Sequence, residues 1–390
     1  MRFAKNPTMK RYIFIFWGIV ALLSCKKEEP KLQEVKSSSL FYKVKDSAGY
    51  QKDTIHYPLN VVLMIGDGMG LAQIYAAMTV NRGNLHLKRC KYIGLCKTNS
   101  EDNYITDSAA GATAYACGKK TKNGAIAVDT AGRPIPTILE IAAKEGLSTG
   151  LVTTCAITHA TPAAFVAHQV SREMYEEIAA DFLKVPITLF IGGGLKHFQD
   201  RKDKQDLTAK LAAKGYQIVL SEQQLDTITQ GKFAALLAEN HLPSISKGRN
   251  PEWLKKATRK ALTILSQNPE GFFLMIEGSQ IDWGGHNNDL QYVVDEMLDF
   301  DQAVGEVLDF ADKTNNTLVI VTADHETGGL TLNGGSLIKG EVHGTFTSHD
   351  HTAVPVPVFA YGVGAEEFSG FYENTAVFDK IVALLGFNME

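Results

Sequence analysis

The chain has 390 residues, 45% of them hydrophobic, and its 39 basic and 43 acidic side chains leave a formal net charge of −4. That is enough apolar material for one large domain or two smaller ones, and the near-balance of charge excludes bulk attraction to nucleic acid or to an anionic membrane surface. Function therefore has to rest on specific side chains.

The first element is a targeting segment. Lys10 and Arg11 precede an apolar run over residues 12–23, shorter than the about 20 residues that a spanning helix needs. Leu22-Leu23-Ser24-Cys25 closes it and resembles a bacterial lipobox. Residues 1–25 thus read as a lipoprotein signal peptide with Cys25 as the lipidated residue, a plain cleaved secretion signal being the alternative. The expected location is the periplasm or the outer membrane, with membrane contact only through that anchor. Lys26-Lys27-Glu28-Glu29 resembles a surface-export tag or is a solvated tether, and residues 26–56, with Ser37-Ser38-Ser39 and no sustained period, read as flexible. Cys90, Cys96, Cys117 and Cys155 are scattered through apolar segments and read as buried thiols, a Cys90–Cys96 disulfide being the alternative.

Residues 57–390 read as one domain. Short runs rich in Val, Ile and Leu at 60–65, 151–154, 187–191, 272–276, 317–322 and 356–361 have the character of buried parallel strands. Helical patterns occupy 72–78, 107–117, 138–145, 172–183, 252–266 and 290–311, with an irregular insertion around 196–250. The alternation predicts a doubly wound α/β fold, a mostly parallel central sheet with helices on both faces. Asp295, Glu296, Asp299 and Asp301 on the last of these helices read as a largely solvated face, Asp301 also as a capping or pairing residue.

Three of the strands run into chemistry: 60–65 ends in Gly66-Asp67-Gly68, 272–276 in Glu277-Gly278, and 317–322 in Ala323-Asp324-His325. The carboxyl ends of strands in an open α/β sheet share one edge, where ligands bind. Asp282 and His286 follow Glu277 at a four-residue interval, and His351 precedes the strand at 356–361. So many carboxylates in one place repel unless cations compensate them. Mixed Asp and His donors suit zinc, whereas carboxylate, hydroxyl and water suit magnesium. Thr106-Asp107-Ser108-Ala109-Ala110-Gly111 adds one hydroxyl at the mouth of a helix of small residues, where the dipole end favours an anion. Serine is a weak nucleophile unless something ionises it, and a metal would.

Taken together these stretches resemble the alkaline phosphatase family from about residue 60 onward. The resemblance rests on Ile65-Gly66-Asp67-Gly68-Met69-Gly70, Thr106 to Gly111, Thr158-His159-Ala160-Thr161-Pro162-Ala163-Ala164, Glu277-Gly278-Ser279-Gln280-Ile281-Asp282, Thr322 to Gly329, and His351-Thr352, in that order. It implies a phosphomonoesterase working through a phosphoserine on Ser108, with two zinc ions and one magnesium per chain. Asp67, Asp324 and His325 would hold one zinc; Asp282, His286 and His351 the other; Asp67, Thr161 and Glu277 the magnesium. It further implies phosphate gripped by Arg172, a homodimer, and phosphate scavenging as the purpose. His159 and Trp283 stand at two positions that vary within the family, and their pairing resembles that of certain marine and cold-adapted bacterial enzymes. His159 is expected to adjust the surroundings of the magnesium, or to ligate directly, and Trp283 to line the phosphate pocket. The short segment between His325 and His351 argues against a crown-like elaboration.

Other readings belong beside these. Ser108 and Asp107 also fit helix capping, and Arg172 a helix-surface ion pair. His168 reads as a structural histidine, and His197, His343 and His349 as exposed loop residues. Gly192-Gly193-Gly194 lacks the Lys-Ser/Thr of a phosphate loop and reads as a turn. The competing functions are a phosphodiesterase or sulfatase of the same superfamily and a non-catalytic zinc- or phosphate-binding lipoprotein.

Overall fold

A computed structural model describes residues 31–37, 42–44 and 57–388; the signal segment and Cys25 lie outside them, as does most of the expected tether. Ten strands form the central sheet: β1 Asn60–Gly66, β2 Tyr92–Lys97, β3 Ser148–Ala156, β4 Leu189–Gly193, β5 Gln217–Val219, β6 Phe233–Leu236, β7 Phe272–Gly278, β8 Thr317–Thr322, β9 Val356–Gly362 and β10 Gly370–Glu373. Their order is β10-β2-β9-β8-β1-β7-β3-β4-β6-β5. Every described pairing is parallel except the two made by β9, which runs against both β2 and β8. β1 and β7 are buried along their whole length, as strands flanked on both edges and covered by helices must be, and this explains their continuous apolar runs.

Register decides what meets at the edge. Ile65 of β1 pairs with Glu277 of β7 on one side and with Thr322 of β8 on the other, and Thr153 of β3 pairs with Glu277. Asp67, Glu277 and Asp324 therefore leave the sheet at nearly one level. Because β9 is reversed, its start lies at this same edge, so a residue just before it arrives where the other strands end. A two-residue ladder, Glu326–Thr327 against His351–Thr352, fixes that arrival.

The turn after β1 depends on glycine. Gly68 has φ of +74°, and a Cβ there would stand 2.7 Å from the Asp282 Cα. Its N–H donates to Asp324 Oδ1 at 3.3 Å, tying two of the strand ends together. Gly111 allows a similar approach, since its Cβ would sit 3.1 Å from that of Asp324. The small residues of helix Ser108–Cys117 thus let it pack against the strand end.

Several expectations need correcting. The segment 196–250 is not irregular: β5 and β6, with helices Leu195–Gln199, Leu207–Ala213 and Glu222–Thr227, extend the sheet by two parallel strands. These strands are only three and four residues long, too short for periodicity to register. Within the expected tether, Gln33–Lys36 is a strand paired with Glu341–Thr345, which in turn pairs with Thr331–Ser336. Two strands of that three-stranded sheet, Thr331–Ser336 and Glu341–Thr345, lie between His325 and His351. Glu296 and Asp299 are not solvated; both are buried around Arg249, which donates to each. Asp301 is buried as well, and accepts from Tyr42 and from the backbone of His86 and Leu87. Cys90, Cys96, Cys117 and Cys155 are free and buried, and none of the described helices is long and apolar enough to cross a membrane.

Candidate active site and metal centre

Ser108 opens helix Ser108–Cys117, with Asp107 as the capping residue: Asp107 Oδ1 accepts from the Ala110 N–H at 3.0 Å. Capping is thus done by Asp107, and the Ser108 hydroxyl is left to point at His325, Oγ to Nε2 3.3 Å. His325 Nε2 stands 3.5 Å from Asp67 Oδ1 and 3.3 Å from Asp324 Oδ2. A second group adjoins it: His286 Nε2 and His351 Nε2 lie 3.3 and 3.5 Å from Asp282 Oδ1 and 3.1 Å from each other. Asp67, Asp324 and His325 have no exposed surface, and Asp282 has 5%.

The three imidazoles are held alike. His286 Nδ1 donates to the His349 carbonyl at 2.5 Å, His351 Nδ1 to the Thr106 carbonyl at 2.9 Å, and His325 Nδ1 to Thr327 Oγ1 at 3.1 Å. Thr327 is in turn bonded as donor to Asp282 Oδ1. With Nδ1–H engaged, each ring turns its Nε2 to the site, bare whenever the ring is neutral, the arrangement that orients metal-ligating histidines. Opposite them, both oxygens of Asp67, Asp324 Oδ2, Glu277 Oε1 and Thr161 Oγ1 are buried without a hydrogen-bond partner. Orphaned acceptors facing ring nitrogens form a donor set that suits divalent cations.

Electrostatics agree. Burial, reinforced by Asp324, Asp282 and Glu277, drives the Asp67 carboxyl well above the usual range. Burial and the neighbouring Asp282 and Glu277 push Asp324 up to about 8, and burial raises Glu277 against the bond from Thr153. His286 rises to about 9 through its bond to Asp282, whereas burial holds His325 well below its ordinary value. Divalent ions would hold the carboxyls ionised and the rings neutral.

Above this floor opens a cavity of about 620 Å³, lined by residues that include Ile105, Ser108, Asn123, His159, Arg172, Trp283, His286 and His351. Arg172 is in the turn before helix Tyr175–Asp181, not in the helix as its sequence neighbourhood indicated. Its Nη1 donates to Asp107 Oδ2 and its Nη2 to His159 Nε2, at 3.0 and 3.3 Å. Burial and the nearby Arg172 lower His159 to about 3, so this ring stays neutral and can accept from the guanidinium. Its Nδ1 is buried without a partner, and Cys155, His159 and Glu277 cluster closely enough to share a cation. Trp283 packs edge-on to His159, their ring centroids 6.2 Å apart.

Ser108, Arg172, His159, Trp283 and the expected metal ligands therefore lie around one floor and one cavity, with Thr161 bringing its hydroxyl beside Glu277 from the short helix Ala160–Ala163 after β3. His168 is structural as expected, bonded to Ala127 and Glu140, and His349 supports His286 from an exposed loop. His197 and His343 differ from expectation: the first bonds Thr158 and stacks on Tyr175, and the second is a strand residue beside Glu341. Thr327 and His241 were missed. Thr327 lies two residues after His325, a spacing that could have drawn attention to it, whereas His241, which packs against both Trp283 and His159, comes from a segment with no sequence signal.

Residues 59–344 match the family model described as alkaline phosphatase. The chain belongs to the alkaline phosphatase family. Alkaline phosphatase 4 of Bacillus subtilis (strain 168) is 36% identical over 399 residues, covering 81% of this chain and 86% of that protein. The alkaline phosphatase of Escherichia coli (strain K12) is 32% identical over 404 residues, covering 84% and 86%. The solved alkaline phosphatase of the Antarctic bacterium TAB5 matches with a TM-score of 0.82 at 43% identity, over 86% of this chain and 100% of that one. Two variants of that enzyme, with one histidine replaced by aspartate or by glutamate, have magnesium bound in the M3 site. Like other alkaline phosphatases, this protein is a metal-dependent phosphoric monoester hydrolase with a mostly parallel α/β sheet at its centre. The diesterase and non-catalytic readings are not favoured.

Proposed function

We propose that Ser108 is the nucleophile of a two-step phosphate transfer, and that the floor beneath it holds two zinc ions and one magnesium per chain. The observation that carries this is the set of three Nε2 atoms facing orphaned, fully buried carboxylate oxygens. Asp67, Asp324 and His325 would hold one zinc beside Ser108; Asp282, His286 and His351 the other; Asp67, Thr161 and Glu277 the magnesium. When bound, these ions would lower the pKa of the serine hydroxyl and stabilise the charge of the departing oxygen.

The chain's own groups do the rest. The start of helix Ser108–Cys117 favours an anion directly over Ser108. Arg172, with one nitrogen on Asp107 and one on His159, has its planar fork set before substrate arrives, so little side-chain entropy is lost on gripping two phosphate oxygens. Trp283 lines the pocket without adding charge, and neutral His159 accepts from Arg172 without competing for phosphate. Attack by Ser108 Oγ on phosphorus forms the Ser–O–P bond and breaks the bond to the alcohol, which leaves with a proton; water then breaks the Ser–O–P bond and restores the hydroxyl. Two in-line displacements give retention at phosphorus.

The proposal extends to setting. Lys10, Arg11, the apolar run that follows and Leu22-Leu23-Ser24-Cys25 support export with a lipid on Cys25, and family membership supports a homodimer that scavenges phosphate. A rate comparison tests the chemistry: metal-reconstituted protein lacking residues 1–25 is expected to turn over p-nitrophenyl phosphate much faster than bis(p-nitrophenyl) phosphate. Equal or faster diester turnover would overturn the monoesterase reading.

A further inference from the structure

The region N-terminal to residue 59 lies outside the family match, yet one of its side chains reaches the turn that carries a proposed zinc ligand. We infer that Gln33 is a positioning residue for His286, acting through the backbone of Asn288. The inference rests on the reading of Asp282, His286 and His351 as one metal position.

Helix Gln280–His286 carries both Asp282 and His286, and helix Leu290–Thr314 begins four residues after His286. The link between them turns through Asn288, whose φ is +50°. Asparagine is one of the few residues other than glycine that enter this region readily, and here it closes the preceding helix. Two backbone bonds close the turn from inside: Asn288 N–H to the Gly285 carbonyl and Asp289 N–H to the Gly284 carbonyl, each 2.9 Å.

Gln33 closes it from outside. Its Nε2 donates to the Asn288 carbonyl, and its Oε1 accepts from the Leu290 N–H at 2.8 Å. One amide therefore spans both ends of the linker. Gln33 is itself anchored, because its strand pairs in register with Glu341–Thr345, Gln33 opposite Gly344.

The turn is also the contact to the loop that orients His286. With its amide nitrogen turned toward the Gly285 and Ser348 carbonyls, the Asn288 side chain presents its oxygen 3.2 Å from the His349 ring. His349 returns two bonds to His286, its carbonyl accepting from His286 Nδ1 and its Nδ1 bonding the His286 carbonyl at 2.9 Å. The route from Gln33 to the ligand ring is thus a chain of direct contacts through Asn288 and His349. Outer partners of this kind govern how well a histidine holds its metal.

The test is the rate of zinc release from the full holoenzyme to a chromogenic chelator, with circular dichroism as a check on folding. Gln33→Leu removes both bonds; Gln33→Glu keeps the acceptor for Leu290 N–H but replaces the donor to Asn288 by a repelling oxygen. Both variants are expected to release one ion per chain about 10- to 100-fold faster than the parent, with the remaining ions and the exposed-strand control Glu34→Gln at parental rates. Parental release in Gln33→Glu would reduce Gln33 to a cap on the following helix and overturn the inference. Uniform acceleration of every ion would also overturn it, by indicating general loosening. His286→Ala separates the two levels of the argument: full retention of metal there would refute the zinc assignment itself, whereas loss of one ion there with parental release in both Gln33 variants would refute only the role of Gln33.

Discussion

The Thr327 hydroxyl ties the two proposed zinc positions together, accepting from His325 Nδ1 and donating to Asp282 Oδ1. Thr327→Val keeps its shape and deletes both bonds. Leaving the buried His325 N–H without an acceptor costs about 1–3 kcal/mol, and losing a donor to the Asp282 carboxylate about 1.5–3 kcal/mol. Together this is about 2.5–6 kcal/mol, divided between the fold and the grip on metal, because His325 regains freedom to rotate once its Nδ1 is released. If a third to a half of it falls on metal binding, zinc affinity drops about 4- to 140-fold, at about 1.4 kcal/mol for each factor of ten. The assay is competition for zinc between the reconstituted protein and a chelator of known affinity, with Thr327→Ser as the variant that keeps the hydroxyl. Serine is expected to stay close to the parent. A Thr327→Val protein that holds zinc within about twofold of the parent would refute the reasoning that Nδ1 engagement prepares these rings as ligands.

Arg172→Lys retains charge but not the fork, and a primary amine cannot occupy both Asp107 and His159 while gripping two phosphate oxygens. Losing one or two charge-assisted bonds is expected to lower kcat/KM about 10- to 100-fold, with inorganic phosphate inhibiting more weakly; unchanged steady-state constants would remove Arg172 from the phosphate site. Metal uptake by the apoprotein should expel protons. Asp324, raised to about 8, and His286, raised to about 9, both carry a proton at pH 7 in the metal-free site, so affinity falls as pH drops below about 9, and the protons contributed by these two groups are no longer released at about pH 10, where both are already deprotonated. Proton release followed with an indicator in weak buffer at pH 7 and at pH 10 checks this, and equal release at the two values would contradict the raised pKa values.

Much of the site was legible because its residues follow buried strands. The apolar runs ending in Asp67, Glu277 and Asp324 marked both the strands and the edge, and the topology rule for such sheets brought them together. His351 was singled out by its place just before the strand at 356–361, but the physical reason it arrives at this edge, the reversal of β9, cannot be read from an apolar run whose direction is unspecified. Arg172 lines the cavity, but its place in a turn was not legible, since Tyr175–Asp181 is a short helix whose pattern extends backward into polar residues. The supports were largely invisible. Gln33 and His241 come from stretches without period, and Glu296 and Asp299 read as solvated until Arg249, about fifty positions away, was seen to neutralise them. Side chains that act through distant partners leave no local pattern to read.

The central claim is that Ser108 forms the covalent bond to phosphorus, and acid quenching during turnover of a radiolabelled monoester tests it most directly. The account predicts label on the peptide containing Ser108, none in Ser108→Ala, and activity in that variant reduced by several orders of magnitude at saturating zinc and magnesium. Label on a different residue, or Ser108→Ala turnover within a few-fold of the parent, would contradict it.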